Sequence, residues 1–206
     1  MEQAKKAQLS RDEIIRVATH EFSDYGYENA SINRICRDGN ISKGRLYHYF
    51  RDKPDIFVGC FERHYQFAAE YMNNFEANSE LTLKENLLLF FKTWQSFWQK
   101  HPFAIRLIVE AKVLPPSLQK ERIATVRYTE LQKITDILNS IIKQYIDDER
   151  TQALLVKMIW VIIEYLGLSV GGTEVDPKKD FQTLLDSQRV RFEEIIDVVM
   201  FGVMPR

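Results

Sequence analysis

The sequence predicts an all-α protein of about nine helices, with a small N-terminal three-helix unit followed by a larger helical body. Three observations carry this. Apolar residues recur at three- and four-residue spacing in segment after segment, the period of one helix face. Ser, Thr or Asp precedes many of these segments, and Gly or Pro follows, as helix starts and stops require. No stretch shows the sustained alternation of a half-buried strand. With 206 residues, 45% of them apolar and 28% charged, the chain has enough to bury a real core.

Residues 1–9 are polar and read as a frayed tail, with Lys5 and Lys6 solvated or touching a nucleic-acid backbone. The first helix is expected over 10–26. Ser10 with Glu13 forms a capping box, Ile14, Ala18 and Phe22 make the buried face, Ile15 and Tyr25 widen it, and Gly26 suits the left-handed stop. Ser31 can cap a second helix over Ile32–Asp38, with Ile32 and Ile35 inward. Gly39 and Asn40 both tolerate positive φ, and Ser42 can cap a third helix over Lys43–Tyr49. Asp52 caps the fourth, with Pro54 near its first turn, where a missing N–H costs nothing. This helix is expected over 55–75, with Phe57, Phe61, Ala68 and Met72 on one stripe. Thr82 and Glu85 form a second capping box and open a helix over 83–100 that His101-Pro102 ends. A short apolar helix over 103–113 is closed by Pro115-Pro116. A long amphipathic helix follows over 117–146, Asp147-Asp148 begins a turn, and the next helix ends at about 168, before Gly171-Gly172. Asp176-Pro177 opens a final helix to Phe201. There is no internal repeat and no low-complexity tract.

Charge is uneven. The net charge is -1, but residues 31–53 carry six Lys/Arg (Arg34, Arg37, Lys43, Arg45, Arg51, Lys53) against Asp38 and Asp52, a local balance of +4. A basic footprint on an otherwise acidic chain is what phosphate binding by one module needs. The same stretch reads as helix, tight turn, helix, the geometry that seats a second helix in the major groove. Gly44 costs that helix about 1 kcal/mol relative to Ala, so its presence asks for a reason such as close backbone approach. Lys43 and Arg45 flank it, and Tyr47, His48 and Tyr49 follow with polar-tipped rings that can donate to phosphates. Lys53 lies at the next helix start, where free N–H groups and the positive dipole end also favour an anion. The alternative is a solvated basic face on a packed helix pair.

The segment over 14–55 resembles the DNA-binding domain of the TetR family of transcriptional repressors. The resemblance rests on ISKGRLYHYFRDK, on the spacing of Ile14, Ala18, Phe22 and Gly26, and on the Ser31-Ile32 and Ile35 opening of the second helix. It covers the first quarter of the chain; the remainder is similar to the family in length and helix count. The family usually has Ala-Gly at the turn where this chain has Gly39-Asn40, and Ala where it has Cys36. Asn accepts the left-handed conformation at modest cost, and a small buried thiol fits the second place. The resemblance implies that Ser31, Tyr47, His48 and Lys53 position the protein on phosphates. Lys43, Gly44 and Arg45 would face the groove, with Ser42 at the helix start and Arg45 contacting a base such as guanine. Arg34 and Arg37 would contact the backbone or lie solvated. It divides the chain into a DNA-binding domain at 8–53 and a regulatory and dimerisation domain at 54–206, linked by the fourth helix. Ligand in the larger domain would tilt that helix and change the spacing of two recognition helices.

The residues of the larger domain allow both roles. Leu154, Leu155, Met158, Ile159, Ile162, Ile163 and Leu166 on one helix, and Phe181, Leu184, Leu185, Phe192, Ile195, Ile196 and Val199 on the last, are apolar over wide arcs. Such helices need cover on several sides. A second subunit supplies it through a two-fold bundle, a homodimer whose two modules reach successive major grooves about 34 Å apart on a palindromic double-stranded operator. The alternative is burial inside one subunit. Trp94, Phe97, Trp98, Phe103, Tyr128, Trp160 and Tyr165, with Arg106, Glu110 and Glu164 as polar anchors, could line a pocket for a small apolar or aromatic effector; the same residues also serve as plain core.

Other classes find less support. Cys36 and Cys60 are too few for a disulfide framework, have no metal spacing, and read as small apolar residues rather than redox sensors. His64 is a lone histidine, satisfied or at the surface rather than a metal ligand. His20-Glu21 lacks the second histidine of a zinc motif, and there is no Gly-rich phosphate loop and no plausible Ser/His/Asp arrangement. No enzyme, cofactor or metal is expected. The N-terminus has no apolar signal core and the most apolar run, 153–168, is interrupted by Lys157 and Glu164, so no membrane span and a cytoplasmic location are expected. The reading is a ligand-released repressor, or alternatively a DNA-binding regulator without a small-molecule ligand, controlled by a protein partner.

Overall fold

The 3.6-residue periodicity is realised as nine α-helices among the described residues, which are 2–113, 119–168 and 181–201 of a computed structural model. They are α1 (Glu2–Asn29), α2 (Ile32–Asp38), α3 (Lys43–Tyr49), α4 (Lys53–Met72), α5 (Leu83–Lys100), α6 (Pro102–Val113), α7 (Lys120–Ile142), α8 (Glu149–Leu168) and α9 (Phe181–Phe201). The expected signals at Pro115-Pro116, Gly171-Gly172 and Asp176-Pro177 lie outside the described residues.

The caps expected at Ser42, Asp52 and Thr82 form. Thr82 and Glu85 exchange bonds, Glu85 Oε2 accepting from Thr82 N–H at 2.8 Å and Thr82 Oγ1 from Glu85 N–H at 3.3 Å. Asp52 Oδ1 accepts from Asp55 N–H at 2.8 Å at the start of α4. Three expectations are corrected. α1 begins at Glu2, so Ser10 and Glu13 lie inside it and form no capping box, and the tail before them is helical. Its Ala, Lys, Gln and Glu residues are good helix formers and carry the helix through. Gly26 does turn left-handed (φ 73°), but one more helical turn follows it. α4 and α7 stop short of the expected 75 and 146, because bonds from Phe75 N–H to Met72 O and from Tyr145 N–H to Ile142 O tighten their last turns.

The chain packs as two compact units, one of residues 1–67 with 101–130, the other of 68–100 with 131–206. In the first, Ile14, Ala18 and Phe22 of α1 are fully buried with Leu46 of α3 and Phe61 of α4. Phe57 packs edge-on to Phe22 and Tyr27, each with ring centroids 5.2 Å apart. α6 runs along α1 in this unit. In the second, Leu87, Phe90 and Phe91 of α5 are buried with Leu138, Ile159, Phe192 and Ile196. Phe91 and Phe192 stack face to face at 4.0 Å. Buried Asn86 donates to Asn78 O and to Tyr145 Oη, pinning the turn before α5.

Candidate nucleic-acid interface

The site begins on α1. Glu21 is a carboxylate only 5% exposed on an otherwise apolar face. A charge so placed must be paired, and it is: Glu21 Oε1 accepts from Ser31 N–H at 2.7 Å and from Arg34 Nε at 2.8 Å. Arg34 continues to Asn29 O at 2.5 Å and lies over the Tyr25 ring at 4.1 Å. Ser31 stands at the N-cap of α2, but its side chain makes no capping bond; its backbone N–H is held from α1 instead. Arg34 is thus a brace between α1 and α2, while Arg37 pairs only with its neighbour Asp38 at 2.7 Å on the surface.

The turn into α3 survives the Gly39-Asn40 substitution with a different division of labour. Asn40 takes the left-handed conformation (φ 50°), and Gly39 stays right-handed (φ −90°). Gly39 is needed for room: a Cβ there would meet Ile41 Cδ1 at 2.6 Å and Val17 Cγ2 at 3.0 Å. Cys36, expected to be buried, is half-buried; Cys60 is buried beside Ile15 O, and burial pushes its thiol up to about 12. Burial thus leaves Cys60 a thiol of low reactivity.

α3 is seven residues long and keeps Leu46 as its buried residue. Ser42 Oγ accepts from Arg45 N–H at 3.2 Å and fixes the helix start. Lys43, Gly44, Tyr47 and His48 are exposed, and a Cβ on Gly44 would meet nothing within 4 Å. Nothing among the described residues therefore requires glycine there. Arg45 reaches back to α1, its Nη2 donating to Glu13 Oε2 at 2.5 Å. Lys53 differs from a free phosphate anchor. Its ammonium donates to Glu28 O at 2.9 Å and Ala30 O at 3.0 Å and lies over Tyr27, closing the end of α1. One of its three N–H donors is left for an outside partner. Glu13 and Glu21 were missed from sequence; the legible signal for Glu21 was a charge on an apolar face.

The effector candidates divide between the units. In the first, Phe103 packs on His20 at 4.1 Å and is exposed at its edge, and Tyr128 is 73% exposed. Arg106 donates to Ser23 O at 2.9 Å, and Glu110 accepts from Tyr27 N–H at 2.8 Å, so both serve the backbone of α1. In the second, Trp94 packs edge-on to Trp98 (5.3 Å) and Trp160 (6.4 Å), and Phe97 to Trp98 (4.8 Å). Trp160 donates to Thr135 Oγ1 at 2.8 Å. Glu164 is half-buried on α8 and Tyr165 exposed. His64 is neither superficial nor fully satisfied: Nε2 lies 3.1 Å from Thr19 Oγ1, while buried Nδ1 has no partner. Burial above all, then the charges of His101, Arg63 and His20, pull its pKa down to about 4. Among the described residues no group of three or more His, Cys, Asp or Glu is arranged for a metal, and no helix is long and apolar enough to cross a membrane.

Residues 14–60 match the family model described as bacterial regulatory proteins, tetR family. The chain is 25% identical over 100 residues to the transcriptional regulator AcuR of Cereibacter sphaeroides, covering 48% of this chain and 46% of that protein. It is 42% identical over 52 residues to the HTH-type transcriptional regulator HbdR of Aromatoleum sp. (strain CIB), covering 25% and 23%. The matched part thus spans less than half the length of either relative. The fold extends further. A transcriptional regulator FadR from Bacillus subtilis, solved in complex with stearoyl-CoA, superposes with a TM-score of 0.67 at 19% identity over 93% of this chain and 98% of its own. A transcriptional regulator from Rhodococcus sp. Rha1 does so with 0.68 at 14% identity over 95% and 99%. The chain thus carries a helix-turn-helix segment that matches the model of the tetR family of bacterial regulatory proteins, in an all-helical fold shared with these regulators.

Proposed function

We propose that the chain is a cytoplasmic DNA-binding transcriptional regulator that reads a palindromic operator as a homodimer and is released by a small apolar or aromatic effector. The observation that carries the reading is α3, anchored by one buried residue, Leu46, while Lys43, Gly44, Arg45, Tyr47 and His48 lie open or half-open on its other sides. Arg45 reads a base, and Lys43, Tyr47, His48 and the free donor of Lys53 hold phosphates, with Ser31 and Ser42 at the adjoining helix starts. Arg34 acts through the α1–α2 brace. Residues 8–53 form the DNA-binding part and 54–206 the regulatory and dimerising part.

Dimerisation through α8 and α9 is supported by an uncovered stripe. Leu154, Met158, Val161 and Tyr165 recur along α8 and are exposed, as are Val190, Val198 and Phe201 on α9. Four apolar side chains on one helix face ask for a covering surface. The effector reading places the ligand beside the aromatic cluster of Trp94, Phe97, Trp98 and Trp160, and needs only that it bind the non-operator conformation better than the operator one. The second reading, control by a protein partner, is favoured by the ring-on-ring packing of that cluster and the satisfied Trp160 N–H.

The test is selection of duplexes from a randomised library by the purified protein, followed by anisotropy titrations. The expected result is an enriched palindrome bound at about 10⁻⁸ M or tighter near physiological salt. Failure to enrich any sequence overturns the reading. A panel of aromatic acids and acyl-CoA thioesters, the latter included because the Bacillus neighbour holds one, then separates the two modes of control by whether any member releases the duplex.

A further inference from the structure

The pair formed by Arg45 and Glu13 is hard to explain by stability. The side chains are 36% and 42% exposed, and an ion pair in that setting contributes little to folding. It also sets a carboxylate beside the surface that faces phosphates, where a negative charge opposes binding. What the contact does do is fix the direction of the guanidinium. Ser42 Oγ holds the backbone N–H of Arg45 at 3.2 Å, and Glu13 Oε2 holds Nη2 at 2.5 Å, so the residue is fixed at its backbone and at its guanidinium. A guanidinium has five N–H donors. Whichever Nη2 proton Glu13 takes, the other remains alongside either Nε–H or an Nη1–H, leaving one two-donor edge complete. A two-donor edge is what guanine O6 and N7 accept.

We propose that Glu13 is a specificity-determining residue: it presents Arg45 to a base edge and withholds it from the phosphate backbone. The inference rests on the reading of α3 as the groove helix. An untethered arginine would swing to the nearest phosphate, gaining sequence-independent affinity. Tethered to a carboxylate, it carries little net attraction for the backbone and contributes chiefly where a guanine completes its hydrogen bonds. Glu13 touches Arg45 and is not itself placed on DNA, so it is a positioning residue.

The test uses the duplex enriched by the wild-type protein and a scrambled duplex of the same composition. Glu13→Gln removes the charge and leaves the length and an acceptor. The expected result is tighter binding of the scrambled duplex, with its logarithmic salt slope steeper by about 0.9, the value for one additional phosphate contact. The ratio of specific to scrambled affinity should fall by about tenfold. In an Arg45→Ala background, Glu13→Gln should leave the ratio unchanged, because the residue acts through Arg45. An unchanged ratio in Glu13→Gln overturns the proposal, and so does an equal change with and without Arg45, which would mark a general charge effect. Circular dichroism melting of each variant separates a folding defect from either result; a variant that melts early is replaced by Glu13→Asp, which keeps the charge but shortens the reach, and for which a retained ratio also counts against the proposal. If the wild-type chain enriches no duplex, the DNA reading falls and takes this proposal with it.

Discussion

α3 and α5 put their side chains to opposite uses. α3 has seven residues and buries Leu46; α5 has eighteen and buries nine, among them Leu87, Phe90, Phe91 and Phe97. The chemistry of α3 points outward, with Lys43, Gly44, Tyr47 and His48 at the surface. The chemistry of α5 points inward, where volume and apolarity matter more than identity. The comparisons divide at the same place. The family model matches residues 14–60, which include α3, whereas the solved regulators share the fold over more than nine-tenths of the chain at 14–19% identity. An outward-facing surface constrains letters, and a core constrains only their pattern.

Five substitutions can break or sharpen the contrast. Phe90→Ala on α5 empties a fully buried site and should cost about 3–5 kcal/mol in denaturant unfolding. The folded fraction should keep its affinity for DNA; a loss of affinity beyond the folded fraction would mean that α5 does more than pack.

His64→Gln should sharpen the role of inward polar groups. His64 is held near a pKa of about 4 in the fold against about 6.5 unfolded, so the unfolded chain binds more protons between those values. Stability should therefore be full above about pH 6.5 and decline as pH falls toward 4, by up to about 3 kcal/mol for this one group. Glutamine does not titrate there, so the variant should lose less stability between pH 7.5 and 5. Parallel unfolding curves for the two proteins at both pH values would discard the assignment.

Arg45→Ala should leave stability within about 0.5 kcal/mol, as surface changes usually do. It should remove about 1–3 kcal/mol of discrimination at one base pair, read by titrating single-base variants of the selected duplex. Lys53→Ala, by contrast, should weaken binding to every duplex and also lower the melting temperature, because the ammonium closes the end of α1 at Glu28 O and Ala30 O.

The smallest effect has two signs. Gly44→Ala should stabilise the fold by up to about 1 kcal/mol, since alanine is the better helix former and its Cβ has open space. The same methyl should weaken DNA binding if the α3 backbone approaches the duplex. A stabilised variant with undiminished affinity would place that backbone away from DNA.

What was legible in the sequence follows the reach of the interaction. The caps at Ser42, Asp52 and Thr82 act across three residues and were readable as short patterns. The bonds from Glu21 to Ser31, from Glu13 to Arg45 and from Glu110 to Tyr27 span 10, 32 and 83 residues. No local pattern encodes them, because the partner is chosen by how helices come together. That is why the bonds of Arg106, Glu110 and Lys53 to the backbone of α1 could not be read from the sequence.

The bond from Tyr27 N–H to Glu110, across 83 residues, also has a consequence for the order of synthesis. While the chain emerges from the ribosome, all the residues of the helix-turn-helix are present long before α6 exists. Until then the left-handed break at Gly26 lacks the carboxylate that seals it, and the Ser23 carbonyl lacks Arg106. The helix-turn-helix segment is translated first and completed late, so a nascent chain stalled at residue 60 carries every letter of that segment with its first helix still open at one end.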